Sequence, residues 1–167
     1  MRYWRMAMRF GNQGEDRFPC CRAAGVAAMG YSDAKGRHVV TDCRKLSREQ
    51  YEQKWRRKWP RSTSPRASLR RLWLDVKPGD IIYAKTGPRA VGKGRVVKPY
   101  AYDEKLCRHE FGPHLWPHYV TVEWQNDFAP FDFHFRAPQH TLLELKPDEL
   151  RRLQALEAAA GRRSSRP

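Results

Sequence analysis

The residues with the strongest chemical character in this chain are its cations. Between positions 44 and 71 there are eleven Lys and Arg against two Glu. The whole chain carries a formal charge of +15 on 167 residues. A fixed surplus of that size raises the local concentration of anions and favours polyanions through counterion release, so nucleic acid is the first partner class to consider. The bland alternative is a solubility surface, or an Arg count inflated by a GC-rich genome. Acidic membranes fit less well, because the basic segments lack a clean apolar face.

Other reactive side chains form weaker patterns. Cys107, His109, His114 and His118 read as C-x-H-x4-H-x3-H. That spacing matches no common zinc module and falls in a segment broken by Pro and Gly, so no metal or other cofactor is expected. Cys20 and Cys21 are neighbours, no CxxC occurs, and the four cysteines read as free thiols packed as small apolar groups. His114 and His118, with Asp132 or Glu110, could exchange protons with a substrate. Against catalysis stand the missing nucleophile elbow, the missing HExxH, and a Gly92-Lys93-Gly94 stretch too short to cradle phosphate. The expectation is a protein that is not an enzyme.

The elements that must position these residues can be traced from periodicity. Residues 2–10 alternate bulky and charged side chains, as a half-buried first strand does. Gly11-Asn12-Gln13-Gly14 ends it. A short helix over 18–24 precedes an apolar run, 25–30, bounded by glycines, which reads as a buried strand ending at Tyr31. Residues 37–42 suit a short hairpin partner. Ser47 and Gln50 make a capping-box pattern for a helix that runs to Trp59 and stops at Pro60. A second helix starts at Ser64 with Pro65 in its first turn, and buries Leu69, Leu72, Trp73 and Val76. The turn Lys77-Pro78-Gly79-Asp80 leads into a strand over 81–84, and another follows over 91–97, whose glycines allow a bend or a close backbone approach. Residues 118–124 put Val120, Val122 and Trp124 on one face; Phe131, Phe133 and Phe135 alternate likewise. An amphipathic helix from 147 to 160, capped by Gly161, precedes a frayed tail. Trp55, Trp59, Trp73 and Trp124 read as core anchors.

Such an order, with no repeated βαβ unit, predicts an α+β protein: a curled sheet or small barrel with helices packed outside it. The length suits one domain. Residues 1–146 form that domain, with a basic helical insertion and helix over 44–74, and 147–167 add the last helix and basic tail. No stretch approaches a membrane span, and the opening residues lack the apolar core of a signal peptide, so a cytoplasmic location is expected.

Three stretches together resemble the EVE domain, a PUA-like barrel related to YTH domains. Tyr3-Trp4-Arg5-Met6 is similar to the family's Tyr-Trp-Leu-Met opening strand. The Arg- and Leu-rich helix from Arg66, the Lys77-Pro78-Gly79-Asp80 turn, and the strands at 81–84 and 91–94 follow the order of the family's Ala-Arg-Asn helix, Lys-x-Gly-Asp turn, aromatic strand and Ile-x-Gly strand. Leu115-Trp116 is similar to the Lys-Trp that leads into a late strand, where the Trp belongs to a base-binding cage. The resemblance spans roughly residues 2–145. It departs from the family after the opening strand, in an insertion of about thirty residues between Tyr31 and the Arg66 helix, and in the missing Trp within 27–31, for which Tyr31 is the substitute.

The resemblance implies a reader of a modified base, methylated or hydroxymethylated cytosine or methylated adenine, that takes the flipped base into an aromatic pocket. Trp116 and Tyr31 would be the ring walls. Asn12, Gln13 and Ser64 would read the base edge, and Arg66, Arg70, Lys54, Arg57 and Lys58 would hold phosphates. Each has a plainer reading: Trp116, between Pro113 and Pro117, as a barrel cap; Tyr31 as a core-edge tyrosine; Asn12 and Gln13 as turn residues; Arg66 as an exposed helix charge. A role in modification-dependent restriction or phage defence, with a partner nuclease, follows from the same family context. The alternatives are a PUA-like module that binds RNA by shape and backbone in tRNA or rRNA metabolism, and an ASCH-like hydrolase, whose Gly-x-Lys-x-x-Glu-x-Arg pattern is absent.

Overall fold

A computed structural model of the chain describes residues 1–9, 16–31, 41–59, 64–104, 116–133 and 141–164. Asn12, Gln13, Cys107, His109, Glu110, His114, Leu115, Phe135 and most of the expected 37–42 hairpin partner lie outside these residues. Seven strands are described: β1 (Tyr3–Ala7), β2 (Val26–Met29), β3 (Ile81–Thr86), β4 (Arg89–Tyr102), β5 (His118–Trp124), β6 (Phe131–Asp132) and β7 (Leu142–Glu144). Four α-helices accompany them: α1 (Phe18–Ala23), α2 (Arg48–Lys58), α3 (Ser64–Arg70) and α4 (Pro147–Ser164).

The strands form one mixed sheet in the order β2-β5-β4-β3-β1-β7, with β6 also paired to β4. β1 and β3 run parallel, Tyr3 against Ile81 through Ala7 against Lys85. The other pairs are antiparallel. Among the described residues β2 and β7 are the two edges and do not pair, so the sheet is not closed into the barrel expected from the short strands. The reason is visible in the packing. The apolar faces are covered by helices on both sides, so neither needs the sheet to curl onto itself.

On one face Trp4, Met6, Ile82 and Val122 pack with Phe18, Tyr51, Trp55, Leu69 and Leu72 from α1, α2 and the α3 region. On the other, Ile81, Tyr83, Phe131 and Phe133 pack with Leu153 of α4. β1 is therefore not half-buried as its alternation suggested. Trp4 and Met6 face the larger core, and Arg5, only 3% exposed, faces the α4 side. Strands covered on both faces lose the clean polar-out signal of a half-buried sheet.

Asp80 joins two distant parts of the sequence. Its carboxylate accepts from the backbone N–H of Arg2 (2.8 Å), the indole N–H of Trp4 (2.9 Å) and the backbone N–H of Lys77 (3.1 Å). The Lys77-Pro78-Gly79-Asp80 turn, with Gly79 at φ +91°, thus locks the opening strand onto β3.

The glycines of β4 allow close approach, as expected. A Cβ on Gly92 would lie 2.1 Å from the Phe18 ring, and one on Gly94 would lie 2.4 Å from Val122 Cγ1 and 2.9 Å from the Glu123 carbonyl oxygen. The backbone carbonyl cannot step aside as a side-chain tip can. Gly94→Ala is expected to destabilise the protein by about 1–3 kcal/mol, the usual cost of overpacking. Urea unfolding measures this, and an unchanged midpoint would show that β5 yields freely at this point.

Helix α2 starts as its capping box predicts: Ser47 Oγ accepts from Gln50 N, and Gln50 Oε1 accepts from Ser47 N. The Tyr51 hydroxyl donates to the Arg66 carbonyl at 2.7 Å and ties α2 to α3. α3 does not continue as a regular helix. Residues 71–75 form a wide π-turn closed by Val76 N–H on the Arg71 carbonyl. At the C-terminus, α4 runs through Gly161 to Ser164, so Gly161 is an interior helix residue and not the expected cap. No left-handed conformation is adopted there, and the preceding alanines favour propagation. Among the described residues no helix is long and apolar enough to cross a membrane.

Candidate nucleic-acid interface

The β2–β5 ladder pairs Val26 with Thr121 and Met29 with His118. The last pair, Met29 with His118, lies two residues from Tyr31 on one strand and two from Trp116 on the other. Both proposed ring walls thus come to one end of the sheet. They differ in environment: Trp116 is buried in the larger core, while Tyr31 is half-buried at its border.

Tyr31 meets the basic helix. Its ring stands edge-on to Trp59 with centroids 5.7 Å apart, and Trp59 stacks on Trp55 at 5.1 Å. The ammonium groups of Lys54 and Lys58 each lie 5.7 Å from the centre of a Trp55 ring, a cation–π distance. The Trp55 indole N–H is buried and has no hydrogen-bond partner among the described residues. The sequence reading placed Trp55 and Trp59 in the core. Both are buried, but Trp59 also forms a wall beside Tyr31.

Below the Tyr31 ring is a polar cluster at the start of β7. Burial pushes the Tyr31 hydroxyl up to about 12, opposed by the neighbouring Thr141 and Ser68 hydroxyls and the charge of Arg71. Ser68 Oγ also accepts from Leu142 N at 3.3 Å, and Arg71 Nη1 donates to the Leu142 carbonyl at 3.1 Å. Two side chains from one helix face thus satisfy the free edge of a three-residue strand, which would otherwise expose unpaired backbone groups. Arg71 is half-buried. Its hold on its proton is weakened first by burial and then by Arg70, although a guanidinium stays charged at any physiological pH.

The proposed phosphate contacts divide into two groups. Arg66 lies 3.7 Å from Glu52 and Arg70 lies 3.7 Å from Asp75, so each already has an acidic neighbour. Lys54, Arg57 and Lys58 border one shallow groove along α2 with Gln50 and Gln53. Arg57 also borders a second groove with Glu49, Glu52 and Arg56. Ser64, the first residue of α3, is half-buried; it is Ser68, four residues on, that lies near Tyr31. Ser68, Arg71 and Thr141 had not been singled out from sequence. Ser68 and Arg71 share a face at i, i+3 spacing, a weak signal on a helix so rich in polar residues. Thr141 has no sequence signal, because its place depends on β7 docking beside β1.

Of the acid–base candidates, the two among the described residues separate. His118 is buried, and its Nδ1 lies 2.8 Å from the Tyr100 hydroxyl, whose oxygen also accepts from Cys43 N. Asp132 pairs with Arg89 at the far end of β4 from Tyr102, the partner of His118. His118 and Asp132 therefore cannot act on one substrate. Among the described residues no group of three His, Cys, Asp or Glu side chains could hold a metal ion.

Comparison with models of known protein families and with curated proteins finds no match.

Proposed function

We propose that this protein is a nucleic-acid-binding reader of a modified base, built on an EVE-like, PUA-like domain and acting without catalysis. The observation that carries this reading is the Tyr31–Trp59 corner, where aromatic rings, hydroxyls and a guanidinium converge beside the most basic of the described helices. Rings supply sequence-tolerant stacking of about 1–3 kcal/mol per base. The polar cluster beneath supplies discrimination, and the cations of α2 hold the backbone. Trp116, at the same end of the sheet, adds a wall from the core side. The resemblance of the opening strand and the Gly-Asp turn to the EVE family agrees with this reading, and the Trp4–Asp80 bond joins those two motifs in space. In this proposal the protein works in the cytoplasm, binds DNA or RNA carrying a methylated or hydroxymethylated cytosine or a methylated adenine, and passes the signal to a partner nuclease.

The test is a binding titration at two salt concentrations, with matched DNA and RNA oligonucleotides differing only in one modification. Trp116 is 4% exposed, so its truncation would cost the fold about 3–5 kcal/mol as well. Tyr31→Ala is the cleaner variant. The expected result is a tenfold or larger preference for one modified oligonucleotide that Tyr31→Ala abolishes. Equal, steeply salt-dependent binding of all of them, unaffected by Tyr31→Ala, would leave a backbone-binding module instead.

A further inference from the structure

We infer that Arg71 makes this site selective for a base edge that presents two adjacent hydrogen-bond acceptors, and that it discriminates against adenine and N6-methyladenine. The inference rests on the reading that the Tyr31–Trp59 corner receives a base.

Of the three hydroxyls in the cluster, Ser68 serves the strand edge and Tyr31 points to a sulfur. The Thr141 and Ser68 hydroxyls lie beside Tyr31, Ser68 Oγ takes the Leu142 N–H, and the Tyr31 hydroxyl lies 3.7 Å from Met29 Sδ. Arg71 differs. Its guanidinium carries five N–H groups in a fixed plane and no acceptor. One of its nitrogens bonds the Leu142 carbonyl, which anchors one end of the fork. No other hydrogen bond is made by this side chain among the described residues. The acids nearest to it do not close the fork: Asp75 lies 3.7 Å from Arg70, and Glu144 is exposed. Burial and the charge of Arg70 both disfavour the Arg71 cation as it stands, so a ligand that brings acceptors relieves the strain on it. The indole N–H of Trp55, in the stack that leads to Tyr31, is a further buried donor without a hydrogen-bond partner among the described residues.

A planar donor fork matches two neighbouring acceptors and clashes with any edge that alternates acceptor and donor. Guanine offers O6 and N7, the commonest target of a bidentate Arg. Cytosine offers N3 and O2. Adenine places its N6 donor next to both N1 and N7, so each approach sets donor against donor. N6-methylation leaves that donor in place. The shared chemistry is the acceptor pair, and guanine or cytosine is its source.

The experiment uses the full chain and DNA duplexes of one sequence with a single bulged nucleotide: cytosine, guanine, adenine, N6-methyladenine or an abasic site. Each is titrated against the native protein, Tyr31→Ala, Arg71→Lys and Arg71→Gln, with melting curves to confirm that each variant folds. The expected result is cytosine or guanine bound at least tenfold more tightly than either adenine. Both Arg71 variants should reduce that ratio to less than threefold, because Lys keeps the charge but loses the fork. Preference for cytosine assigns the N3/O2 edge, and preference for guanine assigns O6/N7. If the base-bearing duplexes bind more tightly than the abasic one in a Tyr31-dependent way, yet adenine binds as well as cytosine and guanine or Arg71→Gln keeps their advantage, the selectivity inference is overturned and the reader proposal stands. If neither the base nor Tyr31 matters, both fall together.

Discussion

Asp80→Ala is expected to be among the most destabilising single substitutions in this chain, at about 3 kcal/mol. The side chain is almost fully buried and accepts three hydrogen bonds, from Arg2 N, Trp4 Nε1 and Lys77 N. Alanine would leave an indole N–H and two backbone N–H groups without their acceptor where water enters poorly, and a buried donor stripped of its partner costs about 1–3 kcal/mol. For a domain of this size, 3 kcal/mol corresponds to a loss of roughly 6–12 °C in Tm. Asp80→Asn keeps one acceptor oxygen but turns an amide donor toward the remaining N–H groups, so its loss should fall between native and alanine. Thermal melts of the three proteins measure the ordering. A melting temperature unchanged in Asp80→Ala would show that the opening strand is held by its β3 and β7 ladders alone.

The second large effect concerns binding. Lys54, Arg57 and Lys58 project from α2 along one groove, and changing all three to Gln is expected to reduce affinity for any DNA or RNA by about 100-fold at low salt. Each phosphate contact contributes roughly 0.9 to the slope of log K against log salt on duplex DNA, so the slope should fall by roughly 2–3. The ratio between modified and unmodified oligonucleotides should survive, since phosphate contacts position the ligand and carry no base information. Lys54 and Lys58 also lie over Trp55, and the Gln stems retain most of that cover. An unchanged salt slope would place the phosphate track elsewhere and remove α2 from the interface. A lost modification preference would instead assign these cations to the base site itself.

The local elements were readable because their signals are local. The capping box of Ser47 and Gln50, the alternation of residues 118–124 and the Gly-Asp turn before β3 each depend on residues within a few positions of one another, and each formed where its pattern lay. Burial of Leu69, Leu72 and Val76 followed from helical spacing even though the last turn widened to a π-turn. Strand β7 had no such signal. Three residues are too short for a period, and what makes them a strand is the docking of Trp4, Arg5 and Met6 alongside. The polar half of the candidate site depends on that strand, so Ser68, Arg71 and Thr141 were invisible until it was placed.

By itself the sequence determined the charge and where it is concentrated, the mixed α+β class, most of the helices and strands, and the Tyr31 and Trp116 candidates. The two aromatic candidates come from the resemblance to the EVE family, and the rest follows from composition and short-range periodicity, which folding does not alter. The tertiary structure decided that the described sheet stays open between helices on both faces, that Asp80 holds Trp4 across 76 positions, and that Trp59 and Arg71 meet at Tyr31 while His118 and Asp132 part. Each of those outcomes is a pairing between residues far apart in the chain. Long-range pairing is settled by which buried surfaces and polar groups can all be satisfied at once, and no local spacing encodes it.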